Sequence, residues 1–522
     1  MKIKRDPGRS MARKNKQKKP VKKAVTPKAH SLPQQKVDKV HALYKEGAYE
    51  QAALECSKIE AKGKRDSRIF MLHALSVERL GDMDKAYELA RKSIALKNSS
   101  EMLKLLIRCH RARGETEKAI AAADEALALQ PGDLVARILK IGAMEEGGLF
   151  DEAWEQMASL NNDAMASNVK LPPVAIYEHT KLLGHKKHYS EAMEQLDGLI
   201  EDPKTPPHLV RSSMYLKAKT CDKMKEYDTA FETIQGINNV PMDYQEHLEK
   251  YLKNMDLLLQ SWTADHLHHY PISSCQSEMP VFIASMPRSG SSLLDQIIDA
   301  HPEAAGVGEL TSIDLFAKEF GKAYDPSLQP PACFGAYQSK LWTRTAEAYI
   351  KEITALAPPE ARRVVNKSLS NYHLVGIMAR MFPRCRIINL MRDPRDVAIS
   401  CFMGNFHTNM FWTVDIQGVA DVWESSRKCM EHWKQVLDIP ILDVHYEQLI
   451  MDPENQMRRV LELIGLEWDE SCTRFHETRR TVRTLSYDQV NRPIYTSSVG
   501  RNANYAKHIK DIRWPEYDPG AS

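Results

Sequence analysis

Between Val281 and Ala300 the chain reads VFIASMPRSGSSLLDQIIDA, and this stretch restricts what the residues around it can build. Val281–Ala284 is a short apolar run with two β-branched residues, the pattern of a buried strand. Pro287, Ser289 and Gly290 interrupt it. Leu293, Leu294, Ile297 and Ile298 then recur at helical spacing, with Ser291-Ser292 placed to cap the helix. Strand, tight loop and helix in that order turn unpaired N–H groups and the positive end of a helix dipole toward an anion. Gly290 lets backbone approach that anion closely. Arg288 offers a planar fork for its oxygens, and the hydroxyls of Ser291 and Ser292 add donors.

The loop is not one that cradles ATP. That loop would read G-x-x-x-x-G-K-[ST]; here Ser285 stands at the first glycine and Ser291 follows Gly290 where the lysine would be. Charge narrows the partner further. Residues 1–29 hold twelve Lys/Arg against one acid, Asp6, so with a chain total of +3 the remainder is about −8 and is no general nucleic-acid binder. The segment 1–35, broken by Pro7, Pro20 and Pro27, reads as a disordered basic arm. It lacks the apolar core of a secretory signal, and no run of about 18 apolar residues marks a membrane span. The nine cysteines include no C-x-x-C pair, so neither a zinc site nor a disulfide framework is expected, and the cytoplasm is the simplest compartment.

Residues 36–260 carry a period. Gly47, Gly81, Gly114 and Gly148 are spaced 34, 33 and 34 apart, and each has an alanine five residues on: Ala52, Ala86, Ala119 and Ala153. Two weaker copies lead to Ala192 and Ala230 at spacings of 39 and 38. The glycine ends the first helix of a pair, and the small alanine lets the second pack closely. Stacked pairs make an α-solenoid whose concave face suits a peptide, or a spacer or homodimer surface. Residues 261–280 read as a solvated linker; His266, His268 and His269 there lack the neighbours of a metal site.

From residue 281 to 522 further strands and helices alternate. Glu309 follows a Gly-rich turn, Arg363–Lys367 is a second strand, and Ser370–Met381 is a helix. Arg386–Met391 is a third strand; it runs into Arg392, and a helix from Pro394 carries Ser400. Pro440–His445 is a fourth, closed by Tyr446. Strands separated by helices predict a parallel sheet covered on both faces, with the ligand at the strand carboxyl ends beside Arg288, Lys367, Arg392 and Tyr446.

The repeats resemble the tetratricopeptide repeat. The set PRSGSSLL, HP…GEL, NK, RDPRD…S and HYEQL resembles sulfotransferases, and SYDQVNRPIYTSSVGR resembles a segment of the tyrosylprotein sulfotransferases in particular. The resemblance implies a P-loop-like α/β sulfotransferase domain behind a tetratricopeptide solenoid, a fusion that looks bacterial. It implies 3′-phosphoadenosine 5′-phosphosulfate (PAPS) as co-substrate and no metal. By it Arg288, Ser289, Gly290, Ser291 and Ser292 hold the 5′-phosphosulfate, Arg392 and Ser400 the 3′-phosphate, and Tyr446 lies along the nucleotide. Glu309 matches the base, Lys367 the lysine at the bridging oxygen, Ser486 a serine near it, and Arg501 a late cationic contact. The chain departs from the family at three places: Leu310 replaces a second acid, Gly404 replaces an arginine near the 3′-phosphate, and Asn502 stands where relatives have Trp.

These residues also suit the chemistry directly, because sulfuryl transfer is mostly positioning plus charge stabilisation and its hydroxyl acceptor needs one base. His301 is the next candidate base by proximity. The expected function is transfer of a sulfuryl group to protein tyrosine, with the repeats holding a protein or peptide acceptor. Its alternatives are a carbohydrate or small hydroxyl acceptor, and a non-catalytic adaptor with an inert fold.

Overall fold

A computed structural model describes residues 32–238, 241–324, 339–369, 371–406, 408–477, 494, 496 and 498–520. Most of the basic arm, and Ser486 with most of its motif, lie outside them; Gln34 and Gln35 already belong to the first helix.

The period resolves into helix pairs. They are α1 (Gln34–Lys45) with α2 (Tyr49–Ala61), α3 (Ser67–Arg79) with α4 (Met83–Leu96), and α5 (Ser100–Ala112) with α6 (Thr116–Leu129). Then come α7 (Leu134–Glu146) with α8 (Phe150–Ala166), α9 (Pro173–His185) with α10 (Tyr189–Glu201), and α11 (Pro207–Lys223) with α12 (Tyr227–Ile237). Gly47, Gly81, Gly114 and Gly148 each take a left-handed conformation (φ 80°, 85°, 63° and 78°), and the weaker copies put Lys187 and Lys225 there (φ 63° and 66°). In every pair the next residue's N–H returns to the carbonyl five residues back, as from Ala48 to Leu43 and from Glu226 to Cys221. This closes the first helix and aims the second. All six register alanines, Ala52 to Ala230, are fully buried, since only a methyl fits where the two helices cross.

The chain divides into two compact units at Leu106/Ile107. In the first, Val37, Val40, Ala52, Cys56, Ile69 and Leu72 make a small core, and Asp66 caps α3 while accepting from the Leu32 N–H. In the second, α13 (Tyr244–Ser261) and the short α14 (Ala264–Leu267) lead into the sheet. Within the 261–280 stretch His266, His268 and His269 are exposed, but Trp262, Leu267 and Ser273 are buried. Trp262 is 1% exposed and meets Trp433 edge-on, because its indole and Leu267 complete an apolar layer that a polar tether would leave open.

The sheet holds β1 (Pro280–Ser285), β2 (Ala304–Gly308), β3 (Arg363–Asn366), β4 (Arg386–Met391) and β5 (Ile441–His445) in the order β2-β3-β1-β4-β5, every pair parallel. The four expected strands are present; β2 is a fifth, where the sequence suggested only a turn before Glu309. AAGVG has one β-branched residue and no alternation, so its strand state comes from pairing with β3 and not from propensity. Between strands run α15 (Ser291–Asp299), α16 (Ser312–Tyr324), α17 (Ser339–Leu356), α18 (Asn371–Met381), α19 (Pro394–Phe402) and α20 (Ile416–Val436); α21 (Tyr446–Met451) and α22 (Pro453–Ile464) follow β5. Along β1 the side chains alternate. Val281 and Ile283 pack with α15, α21 and α22, whereas Phe282 and Ala284 pack with α17, α18 and α20. Both faces are thus covered, as a parallel sheet requires. Strand order reverses around β1, so the loops after β1 and β4 flank the crevice where such sheets bind ligands. Among the described residues no helix is long and apolar enough to cross a membrane.

Left-handed lysine is strained where glycine is not. Lys187→Gly and Lys225→Gly are each expected to raise stability by about 0.5–1 kcal/mol, read as a higher urea midpoint; a lower midpoint would show that the lysine side chains contribute more than their backbone costs.

Candidate active site

Two clusters form at the carboxyl end of the sheet. The first surrounds the loop after β1. Arg288 (φ 66°) and Gly290 (φ 95°) are both left-handed, which folds the loop back so that Gly290 becomes the N-cap of α15. Ser291 and Ser292 do not cap the helix as expected. They are its first buried residues; the N-cap is Gly290, which has no side chain to offer, so the amino end of α15 opens the loop with backbone N–H groups. A Cβ on Gly290 would lie 2.3 Å from Cδ2 of Tyr446. Only glycine lets that ring wall the loop.

Arg288 Nε donates to Ser400 Oγ at 2.8 Å, and Arg392 Nη1 donates to the Arg288 carbonyl at 2.9 Å. So Arg288, Arg392 and Ser400, from three elements, converge on one loop. Arg392 also lies 4.6 Å over the Tyr446 ring, pairs with Asp396 at 3.4 Å and donates to the Ser498 carbonyl. Tyr446 Oη and Ser498 Oγ share a hydrogen bond of 2.7 Å. Asp396 is the residue that the sequence reading passed over inside RDPRD. Besides Arg392, its buried carboxylate accepts from the Gly500 N–H, the Asn502 N–H and the Asn502 amide, each at 2.8 Å. The Asn502 side chain, which departs from the family's Trp, is thereby explained. Gly404 lies past the end of α19, where a Cβ would meet the Phe406 ring at 2.6 Å.

The second cluster is Lys367 and Glu309, at the ends of β3 and β2. Lys367 Nζ lies 2.5 Å from Glu309 Oε1, the lysine side chain 2% exposed and the glutamate 38%. The pair stands on buried amides the sequence reading did not single out. Asn366 donates to the Leu310 carbonyl (2.9 Å) and accepts from the Ser368 N–H (2.9 Å), and Asn371 donates to the Ile283 carbonyl (2.9 Å). The asparagine in NK was a visible signal; Asn371 was not. His301 is no competitor as base, because Nδ1 accepts from the Glu303 N–H and Nε2 donates to the Glu467 carbonyl. Arg501 faces elsewhere, with its guanidinium paired to Asp222 of α11 at 2.9 Å.

Among the described residues no His, Cys, Asp and Glu side chains gather as a metal site. The first cluster fits an anion instead. Ser289 Oγ and Arg392 Nε are buried donors with no partner among the described residues, and such orphans are costly unless a ligand answers them.

Residues 280–470 match the family model described as sulfotransferase family. This is a sulfotransferase domain. Its resemblance to tyrosylprotein sulfotransferases extends to named relatives. Protein-tyrosine sulfotransferase 2 of Gallus gallus is 26% identical over 214 residues (38% of this chain, 55% of that one). Protein-tyrosine sulfotransferase A of Caenorhabditis elegans is 26% identical over 219 (41% and 56%). An uncharacterized protein of Aquifex aeolicus is 27% identical over 393 residues, 73% of this chain and 49% of the other. The chain thus spans about half the length of the curated relatives it matches. The solved sulfotransferase domain of the Synechococcus PCC 7002 olefin synthase is 21% identical, covers 48% of this chain and 93% of that one, and superposes with a TM-score of 0.33.

Within the sulfotransferase domain Gly290→Ala adds both a clash with Tyr446 and a φ that L-residues resist. It should cost about 2–4 kcal/mol by denaturant titration; an unchanged midpoint would mean that Tyr446 can swing clear of the loop.

Proposed function

We propose that this chain transfers the sulfuryl group of PAPS to a hydroxyl acceptor, protein tyrosine before any other. The observation that carries the reading is the loop after β1, where Arg288 and Arg392 meet and two buried donors, Ser289 Oγ and Arg392 Nε, have no partner among the described residues. It suits a phosphosulfate, and a second phosphate finds Arg392 and Ser400 beside it. In this reading Glu309 takes the proton of the acceptor hydroxyl through the carboxylate oxygen that Lys367 does not engage. The acceptor oxygen forms a bond to sulfur as the bond from sulfur to the phosphate oxygen breaks. Lys367, Arg288 and the α15 amides offset the charge left on the phosphate, whose departing product is adenosine 3′,5′-bisphosphate. Arg288, Glu309 and Lys367 are all retained, which speaks against an inert adaptor. The preference for tyrosine rests on the relatives' names, and a protein acceptor on the repeats.

Adenosine 3′,5′-bisphosphate should raise the melting temperature of the full chain, and AMP far less. At a hundredfold excess over Kd the gain is about 2.7 kcal/mol. Equal stabilisation by AMP would remove the 3′-phosphate role from Arg392 and Ser400.

Glu309→Gln keeps the shape and removes the base, so kcat should fall by about 10²–10⁴ with the melting shift from the bisphosphate retained. Full turnover would place the base elsewhere. Mass spectrometry of proteins incubated with the chain and labelled PAPS identifies the acceptor; label found only on saccharide or small phenol replaces tyrosine with the alternative.

A further inference from the structure

Outside the matched stretch 280–470, the segment 498–508 forms one wall of the anion loop. Ser498 meets Arg392 and Tyr446, while Gly500 and Asn502 meet Asp396. A short segment of 3-10 turns cannot hold itself there, since it has few internal hydrogen bonds. Its anchorage comes from the last helix pair. Asp222, in the final turn of α11, pairs with Arg501 at 2.9 Å and accepts from the Tyr505 hydroxyl at 2.5 Å. A carboxylate at that end of a helix opposes the dipole, so its place there is sustained by these two partners. Tyr505 is fully buried, and Tyr227 of α12 meets its ring edge-on at 5.5 Å. Phe231 of α12 stacks on Phe402 at 5.0 Å and on His508 at 4.2 Å; Phe402 ends the same helix that presents Asp396 and Ser400.

We propose that Asp222 is a positioning residue of the PAPS site: from the helical repeats it fixes Arg501 and Tyr505, and so holds Ser498, Gly500 and Asn502 against Arg392, Tyr446 and Asp396. This rests on the PAPS reading above. It also gives the repeats a task beside any acceptor binding, because the nucleotide wall is incomplete without α11.

The test uses the full chain with Asp222→Ala and Asp222→Asn. The KM for PAPS should rise about 2–30-fold, with kcat and acceptor KM near wild type. The melting shift given by adenosine 3′,5′-bisphosphate should shrink. Amide exchange at Gly500 and Asn502, without ligand, should quicken by a similar factor. A merely structural role would lower the melting temperature alike with and without the bisphosphate and leave the PAPS KM unchanged, which would overturn the proposal. Should the wild type show no shift with the bisphosphate, the PAPS reading fails. The exchange experiment then decides the Asp222 link alone, with wild-type rates in both variants refuting it.

Discussion

Arg392 is a guanidinium buried at the edge of an apolar sheet, and the ligand wall depends on how that charge is answered. A buried charge left alone is excluded by its desolvation cost, so its neighbours have little freedom. Asp396 supplies the counter-charge, Ser498 and Arg288 supply carbonyls, and Tyr446 supplies a ring face. Trp423 donates its indole N–H to the Arg392 carbonyl at 3.1 Å, and Glu447 accepts from the next N–H at 2.9 Å. Breaking such a pair typically costs about 3–5 kcal/mol, whereas exposed pairs such as Arg458–Glu454 contribute about 0–1 kcal/mol. The contacts that answer the Arg392 charge bring together the β1 loop, α19, α21 and the 498–508 segment, while its Nε is left without a partner among the described residues. Burial of one charge therefore builds the site.

Lys367 poses the same problem on the other side of β1 and has a different solution. Its charge is answered by Glu309, which reaches toward solvent, so the pair has one buried and one accessible end. That asymmetry suits chemistry: the lysine is fixed where charge is to collect, and the carboxylate is within reach of an incoming hydroxyl. Asn366 and Asn371 tie strand ends and turn together beneath the pair, so the backbone carrying both groups has little room to drift.

Much of this was legible in the chain. The β-branched runs at 281–284 and 386–391 are local signals, as are the Gly–Ala spacing of the repeats and the Gly290 turn. Each works through backbone geometry or side-chain period, and each was read at nearly its observed bounds. Arg288, Lys367, Arg392 and Tyr446 were expected together at the strand ends; the structure gathers Arg288, Arg392 and Tyr446 with Ser400 and pairs Lys367 separately with Glu309. β2 was missed because small residues acquire a strand state only from a neighbour. The buried Trp262 was missed because a stretch rich in His and Ser gives no local hint of the layer it closes.

Sequence alone determined the strand–loop–helix, the alternation that requires a sheet covered on both faces, and the period of the helix pairs. These follow from interactions within a few residues of one another. Only the tertiary structure decided that Asp396 meets Gly500 and Asn502, that Lys367 meets Glu309, and that Asp222 takes Arg501. A charged side chain has many candidate partners along a chain of this composition. Which one it meets depends on the packing of apolar layers that carry no charge, and no local pattern in the sequence records it.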